Sequence, residues 1–243
     1  IADKNDEIPQ AISEYKMVGP GREYLAAQVR IAALLADQDR LDDARAHLEN
    51  QRANNPERYN RLVMIEGQLL SERGHEAEFF ELLEMVIKKQ PENVELLYFR
   101  AMTGQSLGRL DVLEQDLLRV IEIDPGNADA MNALGYTLAD QTDRHDEALI
   151  LIERALEIKP NEAAFIDSLG WVQYRLENYK DAVTNLRKAL SLFDNDEVAA
   201  RHCRDSCVLE DIGSDVRIVF QRLAICGLRA DQISASNEAV TCT

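Results

Sequence analysis

Three groups of residues have types and spacings that could do chemistry. His202, Cys203 and Cys207 could offer nitrogen and sulfur to a metal ion. No second cysteine pair stands at structural-zinc spacing, so no metal site is expected there. His75-Glu76-Ala77-Glu78 resembles the start of a zinc-protease motif but lacks its second histidine. Adjacent carboxylates at Asp42-Asp43 and Asp146-Glu147 have the composition of an acid–base pair. Both pairs stand at expected helix starts, where they complement the helix dipole without any catalytic role. No nucleophile elbow, phosphate loop or nucleotide-binding glycine run is present, and Gly19-Pro20-Gly21 reads as a turn. No catalytic residue, metal or cofactor is therefore expected. His47, His75 and His145 are expected on turns or helix faces, solvated.

The elements that would position any site come from an internal repeat. Helix-breaking prolines stand at Pro56, Pro91, Pro125 and Pro160, spaced 35, 34 and 35 residues apart. In the second half of the chain, Leu134-Gly135 aligns with Leu169-Gly170, Ala148 with Ala182, and Ala155 with Ala189. One extra residue falls in the turn after Asp140, where an insertion is tolerated most easily. This is the period and pattern of the tetratricopeptide repeat (TPR), a helix–turn–helix unit of about 34 residues. The glycines are expected where the two helices of a unit meet. The alanines let the second helix approach its neighbours, and the prolines end that helix. An isolated helix pair would leave an apolar face exposed, so repeats must stack.

Upstream units are more degenerate. Residues 94–127 keep Leu97, Ala101 and Pro125, with Leu113 and Val120 at the alanine positions. Residues 60–93 keep Gly67 and Pro91, with Phe79 and Val86 there, and residues 25–57 keep Ala32, Ala44 and Pro56. The expected fold class is all-α, a right-handed superhelical solenoid of antiparallel helix pairs. Residues 1–22 read as a partial repeat, the remnant of a second helix. Residues 23–196 read as five repeats, about 23–57, 58–92, 93–126, 127–161 and 162–196. Residues 197–243 break the pattern: positions 201–243 hold all four cysteines and neither lysine nor proline. That tail is expected to be weakly helical or disordered, and a shifted reading frame would make it non-native.

The segment from Met131 to Phe193, above all NALGYTLAD (132–140) and DSLGWVQYRL (167–176), resembles TPR lipoproteins of Gram-negative bacteria. The resemblance covers roughly residues 20–200. In that family a lipid tethers the superhelix to the outer membrane. Members act as adaptors, and one branch binds a carboxyl-terminal processing protease and presents cell-wall hydrolases to it. The resemblance therefore implies a periplasmic, outer-membrane-tethered adaptor, with a cytoplasmic scaffold as the alternative. Two departures matter: no lipid-bearing cysteine stands near the start, and the pattern stops after Ala200. The chain begins at Ile1 without an initiator methionine, so a fragment of a longer protein is expected.

In a TPR superhelix the first helix of each pair (helix A) lines the inner groove. Its inward positions map to Tyr98 and Met102, then to Asn132, Tyr136 and Asp140. The last repeat adds Asp167, Trp171, Tyr174 and Arg175. Aromatic rings with an amide and charges suit an extended or helical peptide. The competing possibility is that Tyr136 and Trp171 pack between repeats. A carboxylate clamp would use Arg100, Asn132 and Arg175, but Asp129, Asp140 and Asp167 oppose an anion, so a clamp is not expected.

Net charge is −17, of which −16 falls on residues 1–200. Nucleic acid and anionic lipid both need basic patches, and neither is expected as a partner. No apolar run reaches the roughly 18 residues of a membrane span. The expected partner is a protein or peptide. The alternative is an assembly element whose exposed repeat ends stack into a homo-oligomer.

Overall fold

A computed structural model describes residues 8–19 and 21–193; the pattern break after Ala200 lies outside the described residues. Among the described residues the chain is helical, with no strand. Its elements are α1 (Ile8–Lys16), α2 (Tyr24–Ala36), α3 (Leu41–Asn54), a 3-10 turn (Pro56–Arg58), α4 (Tyr59–Ser71) and α5 (Glu76–Ile87). They continue with α6 (Val94–Ser106), α7 (Leu110–Ile123), α8 (Ala128–Gln141), α9 (His145–Ile158), α10 (Ala163–Arg175) and α11 (Tyr179–Phe193). The chain forms two compact units that divide within α7, after Asp116.

The four repeat-closing prolines each follow a helix end. Pro56 opens the 3-10 turn after α3, Pro91 follows α5, Pro125 follows α7 and Pro160 follows α9. Two of the next helices are capped by asparagine. The Asn93 side chain accepts from the Leu96 amide at 3.1 Å, and that of Asn127 from the Ala130 amide at 3.0 Å. Such a cap satisfies an amide that would otherwise lack a partner, worth about 1 kcal/mol. Asp42, Asp43, Asp146 and Glu147 stand in the first turns of α3 and α9.

The turns inside the helix pairs share one closure. The amides of Arg40, His75, Arg109 and Asn178 donate to the carbonyls of Leu35, Leu70, Gly104 and Gln173, five residues back, at 2.8–3.2 Å. The residue before each donor has positive φ: Asp39 (59°), Gly74 (76°), Gly108 (71°) and Glu177 (63°). This is a Schellman stop. The longer turn between α8 and α9 differs. There Thr142 is extended (φ −141°), its hydroxyl donates to the Leu138 carbonyl at 2.6 Å, and it accepts from the Arg144 amide at 3.1 Å. The additional residue is accommodated by a side chain, not by a left-handed backbone.

Small residues set the spacing within each pair. A Cβ on Gly135 would lie 2.7 Å from Ile152 Cγ1, and one on Gly170 would lie 2.6 Å from Leu186 Cγ. Ala148, Ala155, Ala182 and Ala189 have no exposed surface. In the first unit Phe79 replaces the alanine, and a Cβ on Gly67 would collide with its ring at 2.1 Å. The glycine there makes room for a phenylalanine.

In the unit ending at Asp116, a core of Ile31, Ala32, Leu35, Ala44, Leu48, Leu62 and Leu69 joins α2, α3 and α4. Buried Glu66 accepts from Arg45 at 3.1 Å and pairs with buried Arg52, while Arg45 also pairs with Glu78. His75 bonds Glu78 at 2.6 Å. In the other unit, Met131 and Ala128 of α8 pack with Ala155 of α9 and Phe165 of α10.

Two histidines depart from the solvated expectation. His47 is half-buried and bonds Gln28 Oε1 at 2.8 Å. Burial, and to a lesser extent Lys16, lowers its pKa from the usual imidazole value. His145 is half-buried, and its Nε2 is enclosed without a hydrogen-bond partner. Both belong to second helices, His47 midway along α3 and His145 at the start of α9, and second helices pack on two sides.

Candidate functional site

The unit beginning at Leu117 brings together two stripes of side chains. On α8, Asn132, Tyr136 and Asp140 recur every four residues and so share one face. On α10, Asp167, Trp171, Tyr174 and Arg175 do the same at offsets of four, seven and eight. The two helices pack against each other. Arg175 ties them at their C-terminal ends, donating from Nη1 to the Asp140 carbonyl at 3.0 Å.

The aromatic side chains form a connected row. The Trp171 and Tyr174 rings stack at 5.7 Å with an interplanar angle of 23°. Tyr179, at the start of α11, continues the row 5.7 Å from Tyr174 and is 51% exposed. The Arg175 guanidinium sits 5.9 Å from the Trp171 ring centroid. Tyr179 was not among the sequence candidates because it belongs to a second helix. Its signal was an aromatic residue at a helix start directly after the turn.

Electrostatics bind the polar members into one group. Burial, reinforced by Asp140 and Asp167, raises the Tyr136 hydroxyl above its usual value. Burial also raises Asp140, partly offset by Arg175 and by a hydrogen bond from Gln141. Asp167 is only 6% exposed, and burial alone pushes its carboxyl up to about 7. Asn132 Oδ1 is enclosed and has no hydrogen-bond partner. Buried polar atoms in folded proteins are nearly always paired, so such an acceptor demands an explanation.

The remaining candidates lie in the other unit. Tyr98 and Met102 are half-buried on α6, with the Tyr98 ring edge-on to Phe99 at 6.3 Å. Arg100 grips buried Asp116 through Nε at 2.7 Å and Nη2 at 2.6 Å. Its guanidinium is therefore committed to a bidentate pair. Arg175, in the unit beginning at Leu117, is likewise engaged, with the Asp140 carbonyl. Among the described residues no group of three histidine, cysteine, aspartate or glutamate side chains could hold a metal, and no helix is long and apolar enough to cross a membrane.

Residues 117–150 match the family described as tetratricopeptide repeat. A curated relative, the TPR repeat-containing protein PA4667 of Pseudomonas aeruginosa, is 38% identical over 200 residues. The match covers 82% of this chain, which spans about a third (34%) of that relative's length. Among solved structures, MamA matches with a TM-score of 0.55 and 18% identity, covering 78% of this chain and 99% of that one. YrrB, described as a TPR protein with an unusual peptide-binding site, matches with a TM-score of 0.52 and 21% identity, covering 82% and 98%. The period, the helix pairs, the matched repeat and these likenesses agree: the chain is built of tetratricopeptide repeats.

Proposed function

We propose that this chain is a non-catalytic interaction scaffold that holds a protein or peptide along the faces of its first helices, chiefly α8 and α10. One observation carries the proposal. On that face a row of stacked aromatic rings adjoins polar groups whose hydrogen-bonding capacity is unfilled, with Asn132 Oδ1 enclosed and unpartnered. Rings give rigid contact area at low entropic cost, and unpaired polar groups supply orientation. YrrB is an instance of a TPR protein with a peptide-binding site.

The resemblance of 131–193 to Gram-negative TPR lipoproteins extends the proposal to a periplasmic adaptor, held at the outer membrane, for a processing protease or a cell-wall enzyme. The matched relative comes from Pseudomonas aeruginosa, a Gram-negative bacterium. Fractionation of cells carrying the full-length gene tests the compartment, and recovery in the cytoplasm would end the adaptor version.

The groove itself is tested by capture from a Gram-negative periplasmic extract on the immobilised chain, repeated with Trp171→Ala and Tyr136→Ala. Truncating central aromatic anchors typically costs 2 kcal/mol or more, roughly thirtyfold in affinity. Capture at unchanged strength by both variants would remove the groove reading.

A further inference from the structure

Three acidic side chains are buried among the described residues: Glu66, Asp116 and Asp167, exposed by 2%, 1% and 6%. A buried carboxylate is stable only with a compensating cation or donors. Glu66 has Arg45 and Arg52, and Asp116 has the two-pronged grip of Arg100. Asp167 has neither. No described residue donates to it, and burial is the cause of its raised pKa. Arg175, the cation of the same stripe two turns on, is directed elsewhere, to the Asp140 carbonyl and over the Trp171 ring.

The neighbouring helix repeats the imbalance. Asn132 Oδ1 is a second enclosed acceptor without a donor. Tyr136 lies within electrostatic reach of both Asp140 and Asp167. At Asp167 and Asn132 Oδ1 the unfilled capacity is therefore for donors and positive charge. An anionic group would meet Asp140 and Asp167 directly, whereas lysine and arginine carry only donors, three and five N–H respectively. Their aliphatic stems also suit an aromatic wall, with the charged head at the polar end.

We infer that the α8–α10 face takes a peptide segment bearing a lysine or arginine, whose cationic head engages Asp167 with Asn132 beside it and whose stem lies along Tyr136 and Trp171. The inference rests on the scaffold reading above and adds the chemistry of the partner. In the free chain Asp167 is an acid waiting for the arginine that Glu66 and Asp116 already have.

The test is selection of random twelve-residue phage-displayed peptides on the whole chain in 0.5 M salt, which screens attraction to its general negative charge. Selected peptides are then titrated against Asp167→Asn, Asp146→Asn and Trp171→Ala. Asp146 is exposed in the first turn of α9, a second helix, so its variant removes one charge outside the site. The expected result is enrichment of lysine or arginine, with binding weakened at least about tenfold by Asp167→Asn and unchanged by Asp146→Asn. Replacing the selected basic residue by norleucine should match the Asp167→Asn loss, and combining the two should add little. Peptides without basic enrichment, or equally bound by Asp167→Asn, overturn the inference; if Trp171→Ala still weakens them, the scaffold reading survives alone. If no peptide is selected, or Trp171→Ala leaves every selected peptide bound, both fall. Circular dichroism of Asp167→Asn confirms that any loss is not unfolding.

Discussion

Gly170 and Leu186 lie so close that a single methyl group at the glycine would stand 2.6 Å from Leu186 Cγ. They face each other across the α10–α11 pair, and the Ala182 carbonyl oxygen stands only 3.3 Å from the same point. Gly170→Ala should destabilise the chain by about 1–3 kcal/mol despite alanine's better helix propensity. Leu186→Ala alone should cost about 2–5 kcal/mol, and the double variant should cost clearly less than the two together. Gly104 is the control: a Cβ there meets nothing nearer than 3.4 Å, so Gly104→Ala should be neutral or slightly stabilising. Urea unfolding of the four variants checks the set, and an additive double variant would refute the contact.

Glu177 holds a left-handed backbone (φ 63°) where Gly74 and Gly108 hold theirs at no steric cost. A non-glycine residue pays about 1–2 kcal/mol for that conformation, reduced by the flexibility glycine adds to the unfolded chain. Glu177→Gly should therefore raise the melting temperature, with a gain of up to about 1 kcal/mol. The reverse change, Gly108→Ala, should lose a similar amount. Paired calorimetric scans decide the matter.

Asp167 makes stability depend on pH. Its carboxyl titrates near 7 in the folded chain, against about 3.9 unfolded. The fold thus prefers the protonated form. The resulting stability is fully present below about pH 4, and it is lost as pH rises through about 7. Asp167→Asn is neutral at every pH. It should flatten the decline between pH 5 and 8 and leave the variant more stable than the parent at pH 8, by a few kcal/mol at most. Tyr136 is the titratable neighbour that feels this carboxylate, and burial raises its hydroxyl above the usual value. Melting curves across the range measure it, and parallel profiles for parent and variant would show that Asp167 does not carry the effect.

Asp116 and Arg100 should behave as a buried pair, not as part of a binding surface. Asp116→Asn leaves the guanidinium half-paired and should destabilise the chain by about 3–5 kcal/mol. Replacing both by leucine and methionine should recover much of that loss, because apolar side chains of similar volume need no compensation. Chemical denaturation of the single and double variants distinguishes these outcomes. A mild single variant would mean that solvent reaches the pair.

The repeat was legible because period and residue size are properties of the chain itself. A proline every 34 or 35 residues, with glycine and alanine in register, dictates helix pairs whose close approach needs small side chains. Even the altered α8–α9 turn was visible as one surplus residue, although the threonine that closes it was not. The candidate stripes on α8 and α10 could likewise be placed, since residues four apart share a helix face. What period alone left undecided was which charges find partners. Arg100 is spent on Asp116 and Glu66 on two arginines, while Asp167 is left without a cation. Those outcomes depend on side-chain distances between neighbouring helices, which the repeat period does not fix. Side-chain pairing across such a contact is set by how the pairs stack, which only the tertiary structure decides.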